Sequence, residues 1–147
     1  MTRNRLLSTC AIGYLLLDLL HFADHVRQGR LPSAPVNFAG TLALIVAILV
    51  TLLVLRAHPL AAVAAALFGF LDAVGVLAAH MLPTWGFLSD SYTSLKVDSL
   101  SWASAWALVI GALALGLAGT ASLFRRERAG DASRVGLASS SGQRSSP

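Results

Sequence analysis

Charge is what this chain most conspicuously lacks. Asp, Glu, Lys and Arg make up 12% of its 147 residues, against roughly 25% in an ordinary soluble domain. With 56% hydrophobic residues and a mean hydropathy of +0.70, the deficit points to an integral membrane protein of one small domain. Cysteine is nearly absent as well. Cys10 alone excludes an intramolecular disulfide and any Cys-rich metal site. Lysine is limited to Lys96, the other ten basic residues being Arg, a bias that fits a bacterial, GC-rich coding background. Also missing are a G-x-S-x-G elbow, a P-loop and a Rossmann glycine pattern, so nothing argues for a serine triad or a nucleotide site. Whether the chain is an enzyme is left open at this level.

The formal charge of +4 is not a nucleic-acid footprint. The basic residues flank long apolar runs, where they govern membrane orientation. Four such runs are present, at about 6–26, 38–55, 60–82 and 100–124, each near the roughly 20 residues that cross a bilayer as a helix. Thr2–Arg5 followed by an apolar run imitates a signal peptide, but Asp18 interrupts the core and no small-x-small cleavage site follows. Leu7-Ser8-Thr9-Cys10 resembles a lipoprotein box only loosely, with almost no apolar region before it. A retained first span is expected. Gly29, Pro32 and Pro35 break the chain between the first two runs. Arg56-Ala57-His58-Pro59 makes a tight turn, so the second and third spans should be antiparallel neighbours.

The fold expected is an all-α membrane protein, an up-down four-helix transmembrane bundle with short loops over residues 1–128. A Ser/Gly/Arg-rich tail, 129–147, is expected to be disordered and cytoplasmic. With four spans, Arg3, Arg5, Arg56, Arg125, Arg126, Arg128, Arg134 and Arg144 share one side, and Arg27, Arg30 and Lys96 the other. This asymmetry places both termini in the cytoplasm of a bacterial inner (plasma) membrane. Arg125-Arg126-x-Arg128 then serves as a stop-transfer and lipid anchor. The outward loop between the last two spans carries Trp85, Phe87 and Tyr92, and with Trp102 and Trp106 it matches an interfacial aromatic belt. It is expected to lie flat across the bundle mouth. Ala65-x3-Gly69, Gly75-x3-Ala79, Ala107-x3-Gly111 and Ala112-x3-Gly116 are spacings that let helix backbones approach in lipid. The uncharged second run should be the most lipid-exposed. Expected partners are the bilayer, a homo-oligomer or a larger membrane complex, and no nucleic acid.

Against this apolar background one stretch stands out, LLLDLLHFADHV, residues 15–26. On a wheel of 100° per residue, Asp18, His21, His25 and Gln28 fall within an arc of about 80°, with Asp24 at its edge. His21 and His25, at i and i+4, can approach one point. The third run holds Asp72 and His80, which repeat the order Leu-Asp then His seven or eight residues later, as a duplicated hairpin would. Both runs travel in the same direction, and counting back from Arg27 and from Pro83 sets Asp18 and Asp72 roughly 13 and 16 Å deep. His25 and His80 are then shallow at matched level, and Asp98 joins this upper layer at the start of the fourth run, where its charge suits a helix N-terminus. An ionised carboxylate at a helix centre costs a few kcal/mol in lipid, so partners are expected.

Asp18, His21, His25, Asp72 and His80 thus form a candidate site for a divalent transition metal such as Zn, Cu or Fe. The Asp residues would act as ligands or as imidazole partners. Haem held by His25 and His80 is a variant, and an Asp/His proton relay another, although the inner halves of the second and fourth runs carry no acid or His to complete a path. The alternative is an accessory or scaffold subunit in which Asp18–His80 or Asp72–His21 pairs merely fasten helices. The orientation is tested by impermeant thiol reagents in a Cys10→Ser background. Cys at position 96 should be labelled in intact cells and Cys at 128 only after lysis; the opposite pattern reverses the topology.

Overall fold

The computed structural model describes residues 4–29 and 32–142, with side chains beyond Arg125 described only for Arg128. The charges counted at Arg3, Arg30 and Arg144 lie outside the described residues. Those described form helices and no strand: α1 (Arg5–Arg27), α2 (Ala34–Leu55), α3 (Ala61–Val76) with a π-helical turn at Leu77–Met81, a short α4 (Tyr92–Leu95), and α5 (Ser99–Gly142). Four stretches are long and apolar enough to cross a membrane: Arg5–Arg27, Ala34–Leu55, Ala61–Met81 and Ser99–Arg125.

The boundaries follow local chemistry. Asn4 caps α1 by accepting from the Leu7 N–H, satisfying a donor that the first turn leaves free. Gly29, at φ +60°, supplies the left-handed residue that commonly follows a helix end. α2 begins at Ala34, ahead of the expected 38, because Pro35 sits in its first turn, where a missing N–H costs nothing. Asp98 opens α5, its Oδ1 accepting from the Ser101 N–H at 3.0 Å. α5 also continues to Gly142, past the apolar limit and into residues that composition assigns to a disordered tail. No proline occurs between Pro83 and Pro147, and this stretch contains Ala, Arg, Leu and Glu, all good helix formers.

α5 is the axis on which α1 and α3 are assembled. Asn4 at the start of α1 bonds Ser122, near the end of the apolar part of α5, while Arg27 at the end of α1 bonds Asp98, just before α5; the two helices run in opposite directions. α3 meets α5 through small residues. A Cβ on Gly69 would sit 2.6 Å from the Ala112 carbonyl and 2.8 Å from Gly116 Cα, and one on Gly119 would sit 2.8 Å from the Ala62 carbonyl. Two of the expected small-residue stripes therefore form one close helix contact. The others differ. Gly111 accommodates Leu17 of α1, and Gly75 faces open space. α2 has the lowest share of buried residues among the four spans, 22%, as its uncharged sequence implies. Phe38, Leu71, Leu20 and Ile110, from all four long helices, are among the exposed apolar side chains. Such a surface is unfavourable in water and suited to lipid.

Gly69→Ala and Gly119→Ala should each push α3 from α5 and destabilise the bundle by about 1–3 kcal/mol, the usual cost of overpacking. Gly40→Ala meets nothing within 4 Å and should be neutral or stabilising. Thermal unfolding in detergent checks this; equal midpoints for all three variants would contradict the close α3–α5 contact.

Candidate metal centre

The site forms where α1 and α3 reach the same end of the bundle. Both helices lean on α5 and meet each other through side chains. The Tyr14 ring packs edge-on to Phe68 at 5.5 Å between centroids, and its hydroxyl donates to Asp72 Oδ2 at 2.7 Å. Farther along, His21 and His25 of α1 face His80, which lies within the π-helical turn. The wider turn is closed by the Leu82 N–H bonding the Leu77 carbonyl, and such bulges are frequent at functional sites. The three rings touch pairwise, with centroids 4.9 Å (His21–His25), 5.3 Å (His21–His80) and 5.5 Å (His25–His80) apart. His21 and His80 are buried and His25 half-buried.

One ring nitrogen from each histidine lies within 4.8 Å of the other two. A tetrahedral ion with Zn–N distances of about 2.0–2.1 Å sets its nitrogens about 3.3 Å apart. Each pair would therefore have to close by about 1.5 Å at most to meet one ion.

Hydrogen bonds decide which nitrogens are free. His80 Nδ1 lies 3.2 Å from the Asp90 carbonyl, which can only accept, so Nδ1 carries the proton. His21 Nδ1 lies 3.3 Å from Ser104 Oγ. The Ser104 hydroxyl already donates its one hydrogen to the Ser101 carbonyl at 2.9 Å, so it accepts from His21. Both rings thus keep Nε2 as a lone pair, with the other nitrogen oriented by an oxygen, the arrangement found around metal-ligating histidines.

Asp18 and Asp72 are not in this cluster. Both line the cavity that the histidines border, at deeper positions on their helices. Asp72 is paired with Tyr14. Asp18 Oδ2 is buried and has no hydrogen-bond partner among the described residues. The five residues picked from sequence thus share one cavity, but only the three histidines converge. The helix-fastening pairs Asp18–His80 and Asp72–His21 do not form, because Tyr14, Ser104 and the Asp90 backbone take those roles.

The loop between the spans lies over this end. The Asp90 N–H bonds the Ala79 carbonyl, and Tyr92 is 1% exposed. Its ring packs 4.6 Å from His80 and 5.6 Å from Trp102. Tyr92 therefore does not belong to the aromatic belt, which retains exposed Trp85, Phe87 and Trp106. Burial, with Asp24 and Asp90 adding to it, raises the Tyr92 phenol well above its ordinary range, so it stays a neutral hydroxyl. Asp24, at the edge of the helical stripe, is likewise buried. It accepts from Arg27 Nε and from Gln28 Nε2, both at 2.8 Å. Arg27 also reaches both oxygens of Asp98 at 2.9 Å. The Ser101 N–H and the Arg27 guanidinium hold the Asp98 carboxyl below the usual carboxylate range. This network fastens α1 to the start of α5 beside the histidines.

Of the residues that complete the site, Tyr14 was within reach of sequence reasoning. It lies one turn before Asp18, on the same polar stripe. Ser104 and the Asp90 carbonyl carry no such signal. No protein-family model, curated protein or solved structure matches the chain.

Proposed function

We propose that this polytopic membrane protein binds a divalent transition-metal ion through His21, His25 and His80, near the outer face of a bacterial inner membrane with both termini cytoplasmic. The observation that carries this reading is the convergence of three imidazoles on one place in the bundle. One ring nitrogen from each histidine lies within 4.8 Å of the other two, and the Nδ1 atoms of His21 and His80 each lie beside a protein oxygen that can orient the ring. Three neutral imidazoles suit Zn²⁺, Cu²⁺ or Fe²⁺. Three protein ligands leave a fourth position open, as in catalytic rather than structural zinc sites. Asp18 and Asp72 line the same cavity and offer negative charge to offset a dication in an apolar surrounding.

Haem fits less well. His25 and His80 have centroids 5.5 Å apart and tilted by 43°; they contact one another, and His21 contacts both, instead of facing across a macrocycle. A proton relay is not favoured either, because Asp72 is tied to Tyr14 and the described hydrogen bonds do not link it to the histidines.

Protein purified in detergent, stripped with chelator and titrated with Zn²⁺, should bind one ion per chain. At a hundredfold excess over Kd the ion should stabilise the fold by about 2.7 kcal/mol. His21→Ala, His25→Ala and His80→Ala should each weaken binding more than 100-fold, and Ser104→Ala by about 10-fold, the scale of an outer-shell partner. His58→Ala, in the turn between α2 and α3, should change nothing. Stability that ignores chelator and added Zn²⁺, Cu²⁺ or Fe²⁺ would refute the reading.

A further inference from the structure

The histidines stand between two spaces of opposite character. On the loop side is a pocket of about 70 Å³ bordered by His25, Gln28, Ser33, Asp90 and Tyr92, with room for a few waters at a liquid share of about 30 Å³ each. On the other side is a cavity of about 310 Å³ that touches all three histidines, at the lower end of the range for small-molecule sites, about 300–1,000 Å³. Most of its walls are apolar or small, among them Val36, Ala39, Leu44, Val76 and Leu108.

The cavity is bordered by Gly40 of α2 and Gly75 of α3. Both are exposed, and a Cβ on either would meet nothing within 4 Å. Gly40 lies six residues after the start of α2 and Gly75 six before Met81, roughly 9 Å inside the ends of those helices. Around them Phe38, Leu71 and Val74 turn outward, 73%, 71% and 64% exposed. Gly40 and Gly75 are therefore set in the lipid-facing surface, below the loop end of the cavity, where Pro32, Trp85 and Leu88 also line it.

We infer that the open coordination position takes a ligand dissolved in the membrane: a small apolar molecule with one metal-ligating nitrogen or oxygen, admitted from lipid between Gly40 and Gly75. The inference rests on the metal reading above. The small polar pocket admits water or the ion and is too small for an organic body, whereas the apolar cavity matches such a body and ends on the metal ligands. Binding there removes the tail from water while the donor atom meets the metal, so affinity rises with apolar length until the cavity is filled.

The probes are 1-methylimidazole and 1-butylimidazole, which share a donor nitrogen and differ by three methylenes. They are titrated into the Co²⁺-loaded protein, with free probe fixed by dialysis and binding read from the visible Co²⁺ spectrum. The butyl compound should bind about ten-fold more tightly, the equivalent of roughly two buried methylenes. Gly40→Leu and Gly75→Leu should keep one Co²⁺ per chain and the methylimidazole response, and lose the butyl advantage. Equal affinities in the native protein with Co²⁺ bound would overturn this inference and leave the metal site standing. A butyl advantage that survives both substitutions would overturn the route. Failure to bind Co²⁺ at all would remove the metal reading and this inference together. If the leucine variants do not fold, the comparison of probes on the native protein decides alone.

Discussion

A polar atom that a membrane bundle withdraws from water has to find its partner within the chain, because lipid offers none. That constraint organises much of one end of this molecule, with Asp18 Oδ2, Ser89 Oγ and the Tyr92 hydroxyl left without a hydrogen bond among the described residues. The Asp72 carboxylate takes the Tyr14 hydroxyl, and buried Asp24 takes Arg27 and Gln28. The Nδ1 atoms of His21 and His80 take a serine oxygen and a backbone carbonyl. After these pairings, one ring nitrogen of each of His21, His25 and His80 lies within 4.8 Å of the other two. Such a group could hold a cation, and the proposed function rests on that.

The cluster exists because α1 and α3 are held at a common level by α5. Glycines and alanines let α3 approach α5 closely, and the Arg27–Asp98 pair ties the end of α1 to the beginning of α5. Neither helix needs extensive backbone contact with the other; Tyr14 spans the gap deeper down and the histidines span it above. The π-helical turn then adjusts the azimuth of His80, since one additional residue in a turn rotates the next side chains relative to a regular helix. The Arg27 guanidinium is shared by two carboxylates, so the network keeps a residual negative charge beside the histidines, favourable for a bound cation.

Much of this was legible in the sequence, and the reasons differ by feature. The four spans are visible because each is a nearly uninterrupted apolar run bounded by Arg, Pro or Gly, and their ends agree with the helices to within a few residues, except that α5 runs on to Gly142. The meeting of His21, His25 and His80 follows from two helical stripes and equal counting from their ends, and the rings of His25 and His80 are in contact as that counting implies. What the sequence does not carry is how the polar atoms pair. Whether Asp72 faces a histidine or Tyr14 depends on helix rotation by a few tens of degrees, beyond the precision of a helical wheel. The π-helical turn at Leu77–Met81 has no composition signal, and the burial of Tyr92 depends on a loop whose aromatic content equally suits a membrane interface. The small-residue spacings were ambiguous for a related reason. In an alanine-rich chain, Gly69 at a helix contact and Gly75 at a cavity look alike until the neighbour is known.

The proposed function depends most on three imidazoles sharing one ion. X-ray absorption at the Zn edge of the loaded, detergent-purified protein measures this directly. The geometry predicts a first shell of four light scatterers at about 2.0–2.1 Å, with the outer-shell pattern of three imidazole rings, reduced to two in His80→Gln. A shell of oxygens without imidazole scattering, or a spectrum unchanged by that substitution, would contradict it.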